Sequence, residues 1–272
     1  DIGTAKPSSE QQLSALHHFI DISNPDQQLS AGEYARRARR KIEELWQREI
    51  IPIMVGGSGM YWKAVIDGFY EDNKDYSSIR KQLIERRNQE GLAALYLELE
   101  KVDPSSHFRI DQNDSQRILR ALEVALVGGE SIGLKWERAK GADWPCLSVM
   151  VWMDIEREQL YQRIDQRVDC MIEMGLVSEV EKLVQMGYGA DTYSMGAMGY
   201  IEIIRYLEGQ CSLDQATSEI KMNSRRFAKR QFTWFRRDRR LRRLDLGDWG
   251  RDGVIERIIE QYRHNTDACF LS

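Results

Sequence analysis

The chain has 272 residues, of which 42% are hydrophobic and 30% charged, and its formal net charge is −4. These values are typical of a soluble globular protein with one large or two smaller domains. No apolar run is long enough to span a bilayer and no secretory signal pattern occurs, which argues against a membrane protein. The scattered cysteines and histidines form neither a disulfide framework nor a zinc site, so we expect a cytoplasmic protein.

An extended segment and a capped helix are predicted near the start of the chain. His17–Ile22 is predicted to be a short extended segment that ends at the turn residues Asn24–Asp26. Ser30 is a predicted N-cap, and Glu33 three residues later completes a capping-box pattern. Apolar residues at helical spacing predict that this helix continues to about Arg48.

A buried strand that enters a glycine turn is predicted next. The apolar run Ile50–Val55 leads into the turn Gly56–Gly59, and a helix is predicted at Met60–Ile66. Strand, glycine turn and helix in this order are typical of parallel α/β folds, in which ligands lie at the carboxyl ends of the strands. The turn amides and the Ser58 hydroxyl could hold an oxygen-rich group, although most such turns only connect a strand to a helix.

An inserted all-helical domain is predicted at 72–142, because helical spacing recurs there without a strand pattern. Its helices are predicted at Ser77–Gln89, Leu92–Lys101 and Ser115–Val127. The apolar run Leu147–Met153 predicts a second buried strand and a return to the core. The predicted domains are the two parts of an α/β core at 1–71 and 143–265, the insertion between them, and a tail at 266–272.

Two long helices are predicted after this strand, at Arg157–Met174 and Leu176–Met186. The first carries Arg163 and Arg167 at positions i and i+4, which lie on one helix face. Two guanidinium groups on one face suit a diphosphate or triphosphate. The alternative is that both arginines form salt bridges, with Glu158 or Asp169 as partners.

Two further segments each allow two interpretations. Arg117 and Arg120 could grip a nucleic-acid backbone or could simply be solvated. The glycine-rich segment Ser194–Tyr200 could let an RNA backbone come close, or could be an ordinary connection between helices.

A strongly basic stretch runs from Arg225 to Arg243, with ten Arg or Lys residues and one acid, Asp238, in a chain that is acidic overall. Four aromatic residues lie among the basic ones: Phe227, Phe232, Trp234 and Phe235. Basic side chains neutralise phosphates and aromatic rings stack on bases, so this mixture favours nucleic-acid binding. The alternative is a solvated helix face whose charges pair with acids elsewhere.

Taken together, these motifs resemble the tRNA dimethylallyltransferase family, also called tRNA isopentenyltransferases. The matching segments occur in the family's order over nearly the whole chain. They are DIGTAKP (1–7), HHFIDI (17–22), PIMVGGSGMYWKA (52–64), NDSQRILRALEV (113–124), RIDQRVDCMIEMGLVSEV (163–180), MGAMGY (195–200) and AKRQFTWFR (228–236).

The resemblance implies a P-loop NTPase-like α/β core, with a nucleotide-binding type of parallel sheet, and an inserted helical domain that closes on a tRNA anticodon arm. It implies transfer of a dimethylallyl group from dimethylallyl diphosphate to N6 of the adenosine 3′-adjacent to the anticodon, with release of pyrophosphate. The target base would be flipped out of its stack to reach the site. Mg²⁺ is the implied cofactor, and we expect a monomer that binds tRNA and no membrane.

The family's site residues carry over position by position. Arg167, paired with Arg163, matches an arginine that assists the diphosphate end. Ser58 stands where the family usually has Thr, which keeps the hydroxyl and loses a methyl group. The positions expected to contact tRNA are Ser58, Arg80, Gln116, Arg117, Ile118, Leu119, Arg120, Gly196, Ala197, Met198, Gly199, Tyr200, Ile201, Arg225, Lys229 and Arg230.

One departure from the family pattern affects the expected activity. The family's first strand, phosphate loop and general-base Asp would all precede Asp1. The sequence therefore predicts an N-terminally truncated chain with little or no prenyl transfer by residues 1–272 alone, since a general base contributes about 10²- to 10⁴-fold. The alternatives are a tRNA-binding fragment without catalysis and an enzyme that prenylates free adenine nucleotides.

Overall fold

The computed structural model describes residues 1–68, 74–128, 131–134 and 148–270, with side chains up to His264. The predicted strand residue Leu147, the predicted domain boundaries at 71–72 and 142–143, and the last two residues of the predicted tail lie outside this part of the chain. The chain divides into two compact units, Asp1–Leu29 with Cys146–Ser272, and Ser30–Pro145. We call them the sheet unit and the helical unit, and the predicted domain boundaries stay predictions.

The described elements follow one another in a helix-rich order. They are α1 (Ser9–Ser14), α2 (Ala31–Gln47), α3 (Gly59–Asp67), α4 (Ser77–Glu90), α5 (Leu92–Val102), α6 (Pro104–His107), α7 (Ser115–Gly128), β1 (Val151–Asp154), α8 (Arg157–Glu173), α9 (Leu176–Gln185), a 3₁₀ turn (Tyr193–Gly196), α10 (Tyr200–Leu207), α11 (Leu213–Phe235), β2 (Arg242–Asp245) and α12 (Leu246–Phe270). The last helix is interrupted at Gly250, where φ is 62°.

The helical unit begins with the capped helix that the sequence predicts. Ser30 Oγ accepts a hydrogen bond from the Glu33 amide at 3.1 Å, which satisfies one of the free amides at the start of α2. The Arg39 Nε then donates to the Val65 carbonyl at 2.7 Å, which ties α2 to the end of α3. Buried small residues on α2 let the two helices approach closely, and this contact fixes α3 and the glycine turn before it.

The core of the helical unit lies between α4, α5 and α7. Its fully buried members include Leu83, Leu95, Leu99, Ile118 and Leu122. They recur every three or four residues along each helix, which is the pattern from which these helices were predicted. Full burial of one such side chain contributes about 1.5–3 kcal/mol, so this cluster is a main source of the packing energy between the three helices. The three predicted helices are confirmed to within one or two residues.

The predicted strand at Ile50–Val55 is wrong, because no strand is formed there among the described residues. Ile51, Ile53 and Val55 are 57%, 84% and 82% exposed. A strand exists only through hydrogen bonds to a neighbouring strand, and the two described strands pair with each other instead. Apolar composition alone therefore mispredicts this run.

The predicted extended segment at His17–Ile22 is also wrong in part. Phe19 and Asp21 have φ values of 64° and 53°, so the backbone turns twice through the left-handed region instead of running straight. The turn that follows is confirmed, since the Gln27 amide donates to the Asn24 carbonyl at 3.0 Å.

The sheet unit contains a two-stranded parallel sheet. β1 and β2 pair from Val151 opposite Arg242 to Asp154 opposite Asp245. The predicted second strand is thus confirmed at 151–154, whereas β2 was not predicted. Its sequence RRLD contains one apolar residue, Leu244, which is buried. One apolar residue among charged ones does not form a recognisable strand pattern.

The helices of the sheet unit share one apolar cluster. Val168, Leu176, Val180, Ile203 and Ile220 are all buried in it, and they come from α8, α9, α10 and α11. The predicted helices at 157–174 and 176–186 are confirmed. The fold class is therefore helix-rich α/β with a small parallel sheet, and the P-loop-like character of the core stays a prediction. None of the helices in the described ranges is both long and apolar enough to cross a bilayer.

Candidate nucleic-acid interface

A ladder of two ion pairs fixes the long basic helix α11 against α8. Arg225 Nη1 lies 2.5 Å from Asp165 Oδ1, and Lys221 Nζ lies 2.6 Å from Asp169 Oδ1. Both the acids and the bases are four residues apart, so each pair occupies one face of its helix. Arg225, predicted to contact tRNA, is thus engaged with a carboxylate inside the protein, and its guanidinium is less available for phosphate.

Arg163 and Arg167 lie on a different part of α8 and are exposed. Within the described residues neither forms an ion pair or hydrogen bond, and the alternative partner Asp169 is bound to Lys221. The salt-bridge interpretation of these two arginines is therefore wrong for Asp169 and finds no support for Glu158. Two exposed guanidinium groups one helical turn apart can bind a ligand that carries two or more phosphoryl groups.

The basic stretch is divided by its surroundings. Arg243 Nε lies 2.5 Å from Asp154 Oδ2, at a carboxylate that is 4% exposed. Arg240 pairs with Asp238 at 2.6 Å, and the Arg236 guanidinium lies 5.9 Å from the Trp152 ring centre. These arginines have partners inside the protein. The interpretation of the stretch as a solvated face with paired charges is therefore right for part of it.

A second set of cations in the stretch is exposed and forms no ion pair within the described residues. This set, which we call the free cations of α11 and its following turn, comprises Arg226, Lys229, Arg230, Arg237 and Arg239. Lys229, Arg230 and Arg237 line an open groove of about 250 Å³ together with Thr233 and Trp234. Unpaired cations around an aromatic ring are the arrangement that binds a nucleic-acid backbone and a base together.

The glycine-rich loop presents its backbone rather than its large side chains. Gly196 and Ala197 are exposed, whereas Gly199 and Tyr200 are buried and Met198 and Ile201 are half-buried. Open space surrounds the position where a side chain would begin at Gly196. A ligand backbone can therefore approach at Gly196 and Ala197, whereas the Tyr200 side chain packs inside the protein.

Tyr200 is part of a hydrogen-bonded cluster that sequence reasoning missed. Its hydroxyl donates to Glu179 Oε1 at 2.7 Å, and Glu179 also accepts from the Ile2 and Gly3 amides at 2.8 and 3.3 Å. Burial opposes ionisation of Glu179, but the hydrogen bonds from Ile2, Tyr200 and Gly3 outweigh it and lower the pKa of this carboxyl. Burial and the bond to Glu179 raise the pKa of the Tyr200 hydroxyl. A Cβ at Gly3 would lie 2.5 Å from the Tyr200 ring, so this position requires glycine.

In the helical unit, the glycine turn leaves Ser58 exposed at the N-cap position of α3. Its hydroxyl makes no capping bond and has no hydrogen-bond partner within the described residues. Open space surrounds Gly56 as well. A helix N-terminus whose capping hydroxyl is unused can offer that hydroxyl to a ligand.

The predicted tRNA-contacting segment of α7 is only partly at the surface. Ile118 and Leu119 are 0% and 6% exposed, because they occupy the apolar face of the helix. Gln116 and Arg117 are exposed, and Arg117 pairs with Asp114 at 3.4 Å. The segment thus presents Gln116, Arg117 and Arg120 to solvent and cannot present the side chains of Ile118 and Leu119.

Arg120 and Arg80, from α7 and α4, are both held by Glu123. Its side chain is 0% exposed and lies within 3.2 Å of each guanidinium. Among the described residues no group of three or more His, Cys, Asp and Glu could hold a metal ion.

The comparisons with known sequences agree over most of the chain. The model of the IPP transferase family matches residues 1–238. The tRNA dimethylallyltransferase of Carboxydothermus hydrogenoformans is 44% identical over 264 residues, which cover 96% of this chain and 84% of that relative. The tRNA dimethylallyltransferase of Geobacter sulfurreducens is 44% identical over 238 residues, covering 88% of this chain and 76% of that relative.

Solved structures with a similar fold come from bacteria and from a eukaryote. The tRNA isopentenylpyrophosphate transferase of Bacillus halodurans is 36% identical, with a TM-score of 0.70, over 98% of this chain and 84% of its own. A eukaryotic dimethylallyltransferase acting on tRNA is 22% identical, with a TM-score of 0.73, over 94% of this chain and 67% of its own. At that identity, the second comparison is a likeness of fold alone.

Proposed function

The chain belongs to the IPP transferase family, and we propose that it transfers a dimethylallyl group from dimethylallyl diphosphate to N6 of the adenosine next to a tRNA anticodon. In this reaction the N6 amine attacks the allylic carbon, the bond from that carbon to oxygen breaks, and pyrophosphate leaves. The amine loses one proton to a general base, a role that the proposal assigns to none of the described residues. The protein must hold a highly charged leaving group and a much larger polyanion.

Arg163 and Arg167 are proposed to hold the diphosphate. Negative charge builds up on the leaving oxygens as the carbon–oxygen bond breaks, so cations placed there stabilise the transition state more than the ground state. Support comes from their exposure and from the absence of any ion-pair partner for them within the described residues. Arginine also presents several donors in a planar fork that matches phosphoryl oxygens.

The free cations of α11 and its following turn are proposed to hold the tRNA, and this surface is the observation on which the proposal rests. Lys229, Arg230 and Arg237 surround Trp234 in one open groove. Phosphates and an unstacked base of a stem-loop fit these two kinds of partner. A free nucleotide offers little backbone for so many cations, which favours tRNA over a free adenine nucleotide as the acceptor.

Ser58 in the helical unit and the loop at Gly196–Ala197 in the sheet unit are each proposed to contact tRNA. The unused Ser58 hydroxyl can donate to or accept from a base or ribose, and the open backbone at Gly196 admits a phosphate. Enzymes that modify a stacked base take it out of the stack, which requires such contacts on the flanking nucleotides.

Several expectations from the sequence stay predictions. They are the P-loop-like nature of the core, a monomeric state, a cytoplasmic location and the Mg²⁺ cofactor. The expectation of little or no prenyl transfer by residues 1–272 alone is supported by none of the comparisons, and the proposal takes the chain as an active transferase. The described residues contain no metal-binding group of three or more side chains.

Transfer and binding are measured separately to test the proposal. The first experiment follows incorporation of a labelled dimethylallyl group into an anticodon stem-loop with adenosine at the target position, with guanosine there as the control. The second measures stem-loop affinity directly, with AMP as a competitor. We expect incorporation only with adenosine, and binding that excess AMP does not displace. Equal binding of AMP and stem-loop would contradict a tRNA acceptor, and incorporation that ignores the target base would contradict the N6 reaction.

A further inference from the structure

Glu123 is a buried carboxylate with two arginine partners on its solvent side. It lies on α7 with a side-chain exposure of 0%, among the apolar residues that join α4, α5 and α7. Arg120 Nη1 donates to Glu123 Oε2 at 3.1 Å. Arg80 Nε lies 3.2 Å from the other oxygen, Oε1, at an angle that does not make a hydrogen bond.

The two arginines remain partly exposed, unlike the acid that holds them. The side chains of Arg80 and Arg120 are 46% and 38% exposed. The Arg120 guanidinium also lies 4.3 Å from the centre of the Tyr76 ring, and this cation–π contact is a second restraint on it. Within the described residues neither arginine has another carboxylate partner, so each keeps N–H donors for solvent or a ligand.

One carboxylate facing two cations leaves a net positive charge at this surface. Burying a lone carboxylate is costly, and a single arginine would suffice to neutralise it. The second arginine therefore adds a positive charge whose position is set by a group in the core. Such an arrangement removes side-chain freedom before a ligand arrives, which lowers the entropic cost of binding.

We propose that Glu123 is a positioning residue that orients Arg80 and Arg120 as a preorganised pair for a phosphodiester of the RNA backbone. The inference rests on the proposed function, because it takes these two arginines as tRNA contacts. It adds that their orientation comes from a core carboxylate, and that Glu123 acts on RNA only through them.

The sign of the effect separates orientation from simple charge. If only charge mattered, removing one negative charge beside two arginines would tighten RNA binding. If orientation matters, the same change weakens binding because the arginines must be ordered by the ligand. We expect Glu123→Gln and Glu123→Met each to weaken stem-loop affinity about five- to tenfold. Met fills similar space without charge, so the test does not depend on how well Gln packs.

A double-mutant cycle on stem-loop affinity is the test, with thermal unfolding recorded for every variant and the assay run well below each melting temperature. Each Glu123 variant is made in the unsubstituted protein and in an Arg80→Ala/Arg120→Ala background. Glu98→Gln is the matched control, since Glu98 pairs with Arg86 at 2.7 Å in the same unit. We expect a loss in the unsubstituted protein, no further loss in the double-alanine background, and no effect of Glu98→Gln.

Three results would overturn the inference. Affinity that is unchanged or tighter in both Glu123 variants would show that orientation contributes nothing. An equal loss in both backgrounds would show that Glu123 acts through the fold and not through the arginines. If Arg80→Ala/Arg120→Ala leaves affinity unchanged, the arginines themselves do not contact RNA; the inference then fails with that contact, while prenyl transfer to the stem-loop still tests the proposed function separately.

Discussion

Two regions of the molecule use arginine in opposite ways. In the helical unit, Arg80 and Arg120 are both anchored to the buried carboxylate of Glu123. On α11 and its following turn, Lys229 and Arg237 have no carboxylate partner within the described residues. Anchored arginines bind a ligand with a defined geometry, because their N–H donors are oriented before the ligand arrives. Free cations carry charge, and their contribution to binding depends on salt. A count of basic residues in the sequence does not distinguish the anchored arginines from the free cations.

We expect the exposed cations that have no carboxylate partner within the described residues to bind different ligands: Arg163 and Arg167 the diphosphate, and the free cations of α11 and its following turn the tRNA. Removing the first pair has the largest expected effect. Arg163→Ala/Arg167→Ala should lower prenyl transfer about 100-fold or more, because each charge-assisted bond to the leaving diphosphate contributes about 1.5–3 kcal/mol. Stem-loop affinity should stay within about twofold. Steady-state and single-turnover rates with dimethylallyl diphosphate check the first point, and direct binding checks the second.

Arg157→Ala is the matched control for that pair, since Arg157 lies on the same helix and donates to the Tyr161 hydroxyl instead. It should leave transfer nearly unchanged. A double variant that loses tRNA affinity but keeps its transfer rate would place Arg163 and Arg167 with the tRNA surface and break the division.

Trp234 separates the contribution of base stacking from that of charge. Its ring lies in the groove among the free cations. Trp234→Ala should weaken stem-loop binding about tenfold, because stacking on one base contributes about 1–3 kcal/mol. It should not alter the dependence of affinity on salt, since no charge is removed. Trp249→Ala is the control, as Trp249 is exposed but stacks with Arg257 on α12. A changed salt dependence in Trp234→Ala would mean that the ring only supports its charged neighbours.

Glu179 gives the smallest effect and tests a second carboxylate that holds its neighbours. Its folded-state pKa lies below the ordinary value of 4.5. Its stabilising contribution is therefore present above about pH 4.5 and is lost as the pH falls through the lowered value. Glu179→Gln should be less stable than the unsubstituted protein at pH 7, and the difference should shrink under acid. Urea unfolding across that range measures it, with the exposed Glu181→Gln as control; a difference independent of pH would contradict the ionised role.

The helices of both units could be predicted from the sequence because their signal is local. Apolar residues recur at helical spacing through Ser115–Gly128 and Arg157–Glu173, and each predicted helix agrees with the structure to within a residue or two. The N-cap at Ser30 was predictable for the same reason, since a cap depends on residues three positions apart. Nothing beyond one or two turns of chain was needed.

Features that depend on distant partners could not be predicted. Ile50–Val55 has strand composition but lacks a neighbouring strand in the described chain, while Arg242–Asp245 is mostly charged and pairs with β1. The division of the basic stretch follows from acids up to about ninety residues away in sequence, such as Asp154 with Arg243. The burial of Glu123 depends on how α4, α5 and α7 pack together, which no pattern within α7 alone reveals.

The most direct test of the account compares the salt dependence of stem-loop affinity in two double variants that each remove two positive charges. Lys229→Ala/Arg237→Ala removes free cations, and Arg225→Ala/Arg240→Ala removes cations that pair with Asp165 and Asp238. The account predicts that the first variant reduces the slope of log affinity on log salt by about 1.4 to 1.8, and that the second leaves it nearly unchanged. Equal reductions in both variants would contradict the claim that, within the basic stretch, only the free cations bind the RNA backbone.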